Sequence, residues 1–173
     1  GFGNDKTEKF NINGTLNVAL KNMFNGFETV SLFWQRNPDS GQSFDLQADI
    51  PYTFKSNFGV NVNVNIYRQD STFANVKMMP SLFYHISERQ KLGLRGTFEN
   101  SVVLDSLYNQ GNDYSKKGIG VWYQYNSGSE IPLFLHKTNI RAEFDFLNSN
   151  YDKINEKFSQ LRYFITAEHN LHL

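Results

Sequence analysis

Apolar and polar residues alternate at period two along nearly the whole chain, the pattern of strands whose two faces meet different surroundings, and no helical period competes with it. Between Lys9 and Lys21 one face reads Phe10, Ile12, Gly14, Leu16, Val18 and Leu20, and the other reads Lys9, Asn11, Asn13, Thr15, Asn17, Ala19 and Lys21. The same split gives Phe44, Leu46, Ala48, Ile50 and Tyr52 against Ser43, Asp45, Gln47 and Asp49, then Val60, Val62, Val64 and Ile66 against Asn61, Asn63, Asn65 and Tyr67. Further apolar faces are Val30–Leu32–Trp34, Val76 to Ile86, Leu92 to Phe98, Ile119 to Tyr125, Ile140 to Phe146 and Leu161 to Leu171, each taken at every second residue. The pattern predicts an all-β fold: one domain over residues 1–173, an antiparallel meander of about nine strands.

The connections between these strands fall into two sets. Asn25-Gly26, residues 55–59, residues 87–91 and residues 126–129 read as compact turns on one rim. The other rim carries residues 37–41 and 69–71, and two longer polar stretches, Asp105 to Asp113 and Asn148 to Glu156. Short turns on one rim and longer loops on the other is the arrangement of outer-membrane barrels.

Periodicity alone does not separate a barrel in lipid from a soluble, lipocalin-like barrel with its faces exchanged. Three features favour lipid. Several runs exceed the ~5–6 residues common in globular sheets and reach the ~9–11 that cross a bilayer. The polar face is built from Asn, Ser, Thr, Gln, Asp and Gly instead of the Lys/Glu mixture of a water-facing surface. Finally, Phe24, Phe27, Tyr52, Phe54, Phe58 and Tyr84 gather near the compact turns, where an interfacial aromatic girdle would lie, although aromatics are also good strand formers.

Composition fits this picture. Seventeen Lys and Arg balance seventeen Asp and Glu, so the whole molecule exerts no pull on nucleic acid, which is not an expected partner. With no Cys, disulfide scaffolds, thiolate metal sites and Cys nucleophiles are excluded. No apolar run approaches the ~18 residues of a transmembrane helix, and the negative mean hydropathy leaves a barrel open, since half of its strand residues face a wet interior. The first residues lack the apolar run of a signal peptide, as expected of a mature chain or a piece of a longer one.

Four segments follow one another in order: Leu20 to Phe27, with Asn25-Gly26; Ile50-Pro51-Tyr52-Thr53-Phe54 followed by Phe58-Gly59-Val60; Met79-Pro80-Ser81; and Leu92 to Gly96. Taken together they resemble the barrel of the BamA/TamA-type outer-membrane assembly family of Gram-negative bacteria, the first being similar to a turn joining two early strands of that family and the second to its strand, turn and strand. The motifs cover residues 10 to 104, and residues 114 to 173 share only the strand pattern. The chain departs from the family in lacking its periplasmic POTRA domains, its Val-Arg-Gly-Phe-like loop and its terminal aromatic. The resemblance implies a portion of a barrel of about sixteen strands in the outer membrane. It further implies a role in inserting other barrels or moving polypeptide or lipid across that membrane, with the bilayer and other outer-membrane or periplasmic proteins as partners. A passive pore and a soluble lipid-binding barrel are the alternatives.

The residues offer no catalytic constellation, so neither an enzyme nor a cofactor is expected. His85, His136, His169 and His172 are spread over separate strands, Gly118-Ile119-Gly120 has no helix after it, and Asn13-Gly14-Thr15 is a chance glycosylation match within a strand. No small-molecule substrate is expected. The candidate site is instead the polar face itself. Asn61, Asn63, Arg95, Glu99, Arg141, Glu143 and Arg162 share it with Asp145 and Glu168, an arrangement fit for ion-pair rungs across a lumen. Trp34 should point outward and Trp122 inward.

Overall fold

The computed structural model describes residues 2–4, 10–23, 25–37, 41–69, 72–104, 113–127, 136–152 and 155–171. Nine strands form one open antiparallel sheet: β3 (Gly14–Lys21), β4 (Thr29–Asn37), β5 (Gly41–Ile50), β6 (Phe58–Gln69), β7 (Phe73–Ser87), β8 (Gln90–Val103), β9 (Tyr114–Asn126), β10 (His136–Tyr151) and β11 (Glu156–Leu171). Each strand pairs with its neighbours in sequence, so the sheet is a simple meander with β3 and β11 at its edges. A separate two-stranded sheet joins β1 (Phe2–Asn4) to β2 (Phe10–Ile12).

Residues directly opposite each other in an antiparallel pair lie on the same side of the sheet, so the registers assign every strand residue to a face. Within the nine strands the alternations read from the sequence fall on a consistent side, including Trp34 and Trp122 on opposite faces, up to a register shift between His85 and Ser87. Tyr52, read with Phe44 to Ile50, lies beyond the end of β5 and stacks on His85 of the other face. The polar face is the enclosed one. Thr97 is 4% exposed, Ser149 3% and Asp145 2%, whereas Leu94 on the apolar face is 52% exposed and Ile119 63%. A cavity on the polar side is lined from Gln47 on β5 to Arg141 on β10, so the sheet bends around its polar side and leaves its apolar side convex.

The apolar surface is a band that runs obliquely across the strands. Trp34, Phe44, Ile66 and Val76 stand in one cross-strand row, but its continuation reads Asn100, Ser115, Asn150 and Lys157, with Val102 on β8 one row further out as an isolated outward apolar residue. On β9, β10 and β11 the last outward apolar residues before the 104–113 rim are Ile119, Phe146 and Leu161, two rows lower. The opposite limit descends in the same sense, from Val30 on β4 to Ala167 on β11. With ~3.4 Å per residue and ~4.8 Å per strand, these offsets incline the strands by roughly 20–30° to the band's normal.

Three boundaries differ from the sequence reading. The strand expected from Lys9 to Lys21 divides at Asn13, because β4 supplies partners only as far as Gly14 and Phe10–Ile12 pair instead with Phe2–Asn4. The polar stretch Asn148 to Glu156 is mostly strand, with β10 and β11 paired out to Tyr151 opposite Glu156 and Ser159 Oγ donating to Asn148 Oδ1 at 2.7 Å. The turn expected at residues 126–129 is part of a longer connection, since β9 ends at Asn126 and β10 begins at His136. Long and short connections therefore occur on both rims, and the expected asymmetry between rims does not hold.

Candidate functional site on the polar face

One row across the enclosed face reads Ser81, Arg95, Gly120, Asp145, Arg162 on β7 to β11. Arg95 Nη2 donates to Asp145 Oδ1 and Oδ2, both at 2.8 Å, and to Glu143 Oε2 at 2.7 Å. From the other side Arg162 donates to Asp145 Oδ2 through Nε at 3.0 Å and Nη2 at 2.8 Å, while Arg141 Nε donates to Glu143 Oε1. Arg95 and Asp145 sit two strands apart, roughly 10 Å along the sheet. They meet because Gly120 lies between them: a Cβ there would stand 2.0 Å from Asp145 Oδ1 and 2.8 Å from the Phe144 carbonyl oxygen.

A second set of glycines admits rings. A Cβ on Gly93 would lie 2.3 Å from Trp122 Cε2, and one on Gly59 2.3 Å from Phe83 Cζ, so each ring lies flat over a neighbouring strand. The two rings pack with centroids 5.7 Å apart, and Trp122 Nε1 donates to Ser81 Oγ at 2.9 Å. The Arg141 guanidinium lies 5.5 Å above Trp122 and the Lys91 ammonium 5.3 Å above Phe83, each favoured by the ring's negative face. Gly93→Ala should displace Trp122 and cost about 1–3 kcal/mol by overpacking. A lowered urea midpoint with a changed Trp emission spectrum would show it; an unaltered spectrum would refute the packing account.

The cavity beside these groups has a volume of about 350 Å³ and brings Asn61, Asn63 and Asp49 to face Lys91, Arg95 and Arg141. Asn63 Nδ2 donates to Asn61 Oδ1 at 2.7 Å. Of the candidate residues, Arg95, Arg141, Glu143 and Arg162 meet around Asp145. Glu99 stands apart, accepting from the Tyr114 hydroxyl, and Glu168 on edge strand β11 accepts from Asn170 Nδ2 at 3.1 Å. Gly120 and Gly93 escaped the sequence reading, because a spacer is recognisable only once register sets it between two partners. The assembled surface is a polar lining with fixed, mutually compensating charges.

The aromatic candidates also gather, at the rim of the 51–57 turn. Phe58 and Tyr84 are opposite each other with ring centroids 5.0 Å apart, and Phe27 meets Tyr52 edge-on at 6.4 Å. Phe27 and Phe54 are 74% and 97% exposed and both hold left-handed backbone, at φ 60° and 54°. A bulky residue adopts that conformation at a cost, and here it projects a bare ring beyond the strands. Tyr52 stacks on His85 at 4.8 Å, and the His85 Nε2 to Pro51 O contact of 3.0 Å ties this turn to β7. Phe24 lies outside the described residues.

His169 Nδ1 is 2.8 Å from Thr138 Oγ1, on the outward side, and among the described residues no three His, Asp or Glu side chains converge as a metal would require. The chain matches no family model, no curated protein and no solved structure.

Proposed function

We propose that this chain forms part of the wall of a transmembrane β-barrel in the outer membrane of a Gram-negative bacterium, its polar face lining the lumen. The oblique apolar band carries the reading. A greasy convex face alone also fits a protein–protein interface, but a band of limited height whose two edges both lie lower on β9 to β11 than on β4 to β6 fits tilted strands in a slab of oil. The row around Asp145 suits a lumen wall, where ion pairs hold curvature without obstructing water. In a bilayer the unpaired backbone groups along β3 and β11 need partners, so the wall continues through further strands, in line with a barrel of about sixteen. Within such a barrel the resemblance supports a role in inserting other barrels or passing polypeptide or lipid, with an opened seam offering strand edges to an incoming chain.

Two measurements test the two layers of this reading. The full-length protein should stay with outer membranes through alkaline carbonate washing; release into the wash refutes the wall. Its depletion should lower the levels of several unrelated outer-membrane barrels, and unchanged levels refute the assembly role while leaving a passive pore.

A further inference from the structure

Polar side chains on the enclosed face mostly satisfy one another. Asn65 donates to Asp45, the Tyr114 hydroxyl to Glu99, Ser159 to Asn148 and Asn170 to Glu168, while Arg95, Arg141 and Arg162 donate to Glu143 and Asp145. The cavity of about 350 Å³ breaks this pattern. Four of the side chains that line it, Gln47, Asp49, Lys91 and Gln124, make no hydrogen bond or ion pair among the described residues. Asn61 and Asn63 share one bond, from Asn63 Nδ2 to Asn61 Oδ1, which leaves the Asn63 carbonyl and the Asn61 amide nitrogen open.

These groups stand on two sides of a floor of rings. On β5 and β6, Gln47 is opposite Asn63 and Asp49 is opposite Asn61; on β8 and β9, Lys91 is opposite Gln124, with Arg141 next in the row. The row between holds Phe83 and Trp122, buried at 4% and 8% exposure. The Lys91 ammonium lies over Phe83 and the Arg141 guanidinium over Trp122, so the rings hold two donor groups in place at the cavity.

The inventory of open groups selects a ligand class. The wall combines an acceptor-only carboxylate at Asp49, a donor-only ammonium at Lys91 and carboxamides that do both. An apolar ligand would leave all of them without partners. An anion would meet Asp49 and a cation would meet Lys91, because both signs face the same space. Hydroxyl groups donate and accept at once, and a sugar carries several on one small ring. The volume lies at the small end of ligand sites, roughly 300–1,000 Å³, and suits about one or two such rings.

We propose that this cavity binds a neutral mono- or disaccharide through Gln47, Asp49, Asn61, Asn63, Lys91 and Gln124. Access from the lumen rests on the membrane-wall reading; the cavity itself is formed by strands β5 to β10.

The test is equilibrium dialysis of radiolabelled maltose and cellobiose against the full-length protein in phosphatidylcholine nanodiscs. At least one sugar should bind saturably, with a dissociation constant on the order of 1 mM. Gln47→Leu and Gln124→Leu should each weaken that binding about tenfold and leave the urea midpoint unchanged, because neither side chain has a hydrogen-bond partner to lose. Gln160→Leu, on the enclosed face of β11 and outside the cavity, should bind as the wild type does. Saturation by neither sugar, undiminished binding in both cavity variants, or tighter binding of glycylglycine or glucose 6-phosphate would overturn the proposal. A wild type that stays in membranes through carbonate washing and binds neither sugar refutes the cavity site alone. Release by carbonate refutes the wall, and the same dialysis in solution then decides the site by itself.

Discussion

Val62→Arg should cost the membrane-inserted protein about 2–4 kcal/mol, the penalty for a cation on the lipid face near the midplane, while Asn63→Arg should change stability by no more than about 0.5 kcal/mol. The two residues are adjacent in sequence and opposite in surroundings. Val62 is the middle one of five outward apolar residues on β6, from Phe58 to Ile66, and its row neighbours are Ala48 and Pro80. Asn63 lines the cavity between Gln47 and Met79, within reach of water and of the amide of Asn61. The measurement is the urea midpoint of each variant folded into bilayers, with heat-dependent gel mobility reporting insertion. If the sheet folded in water with its apolar side covered by another protein layer, both variants would still express, and Val62→Arg would yield soluble, separated components. Equal tolerance of arginine at the two positions would remove the lipid face from the description.

How much of this was legible in the chain depends on the range of the interaction. Strand identity and facing are local: period-two patterning placed Leu94, Ile119 and Phe144 outward and Arg95, Thr97 and Asp145 inward without knowledge of pairing, and the registers agree. Strand ends are not local. Asn148 and Ser149 look like loop residues, because polarity marks turns in a sheet folded in water. Here the strands run on past the apolar band, so polar residues continue within the ladder. Asn13 fails in the other direction, with perfect alternation across a point where the neighbouring strand stops supplying partners. The site divides similarly. That Arg and Glu share the enclosed face follows from parity, but Gly120 as the gap between Arg95 and Asp145 follows only from register. The slant of the band is a property of rows across strands, which a one-dimensional reading does not contain.

Asp145→Ala should be the most destabilising single change at the ionic row, at about 3–5 kcal/mol, because it leaves two guanidinium groups facing each other without their shared counter-charge. Asp145 is 2% exposed and accepts from both Arg95 and Arg162, so its removal takes the shared acceptor from both. The cost should be graded by burial. Arg95→Ala should approach that of Asp145→Ala, since the Arg95 side chain is 14% exposed and also holds Glu143. Arg162→Ala should cost no more than about 1 kcal/mol, because its side chain is 51% exposed on edge strand β11 and such pairs are screened by solvent. The double variant Arg95→Met/Asp145→Leu should lose clearly less than the two single losses combined, since it removes the stranded charges together with their attraction. Unfolding midpoints of the five proteins in bilayers decide the order. Equal costs at Arg95 and Arg162, or additive losses in the double variant, would mean that the row is solvated and that the curvature of this wall is held by the rings lying over Gly59 and Gly93.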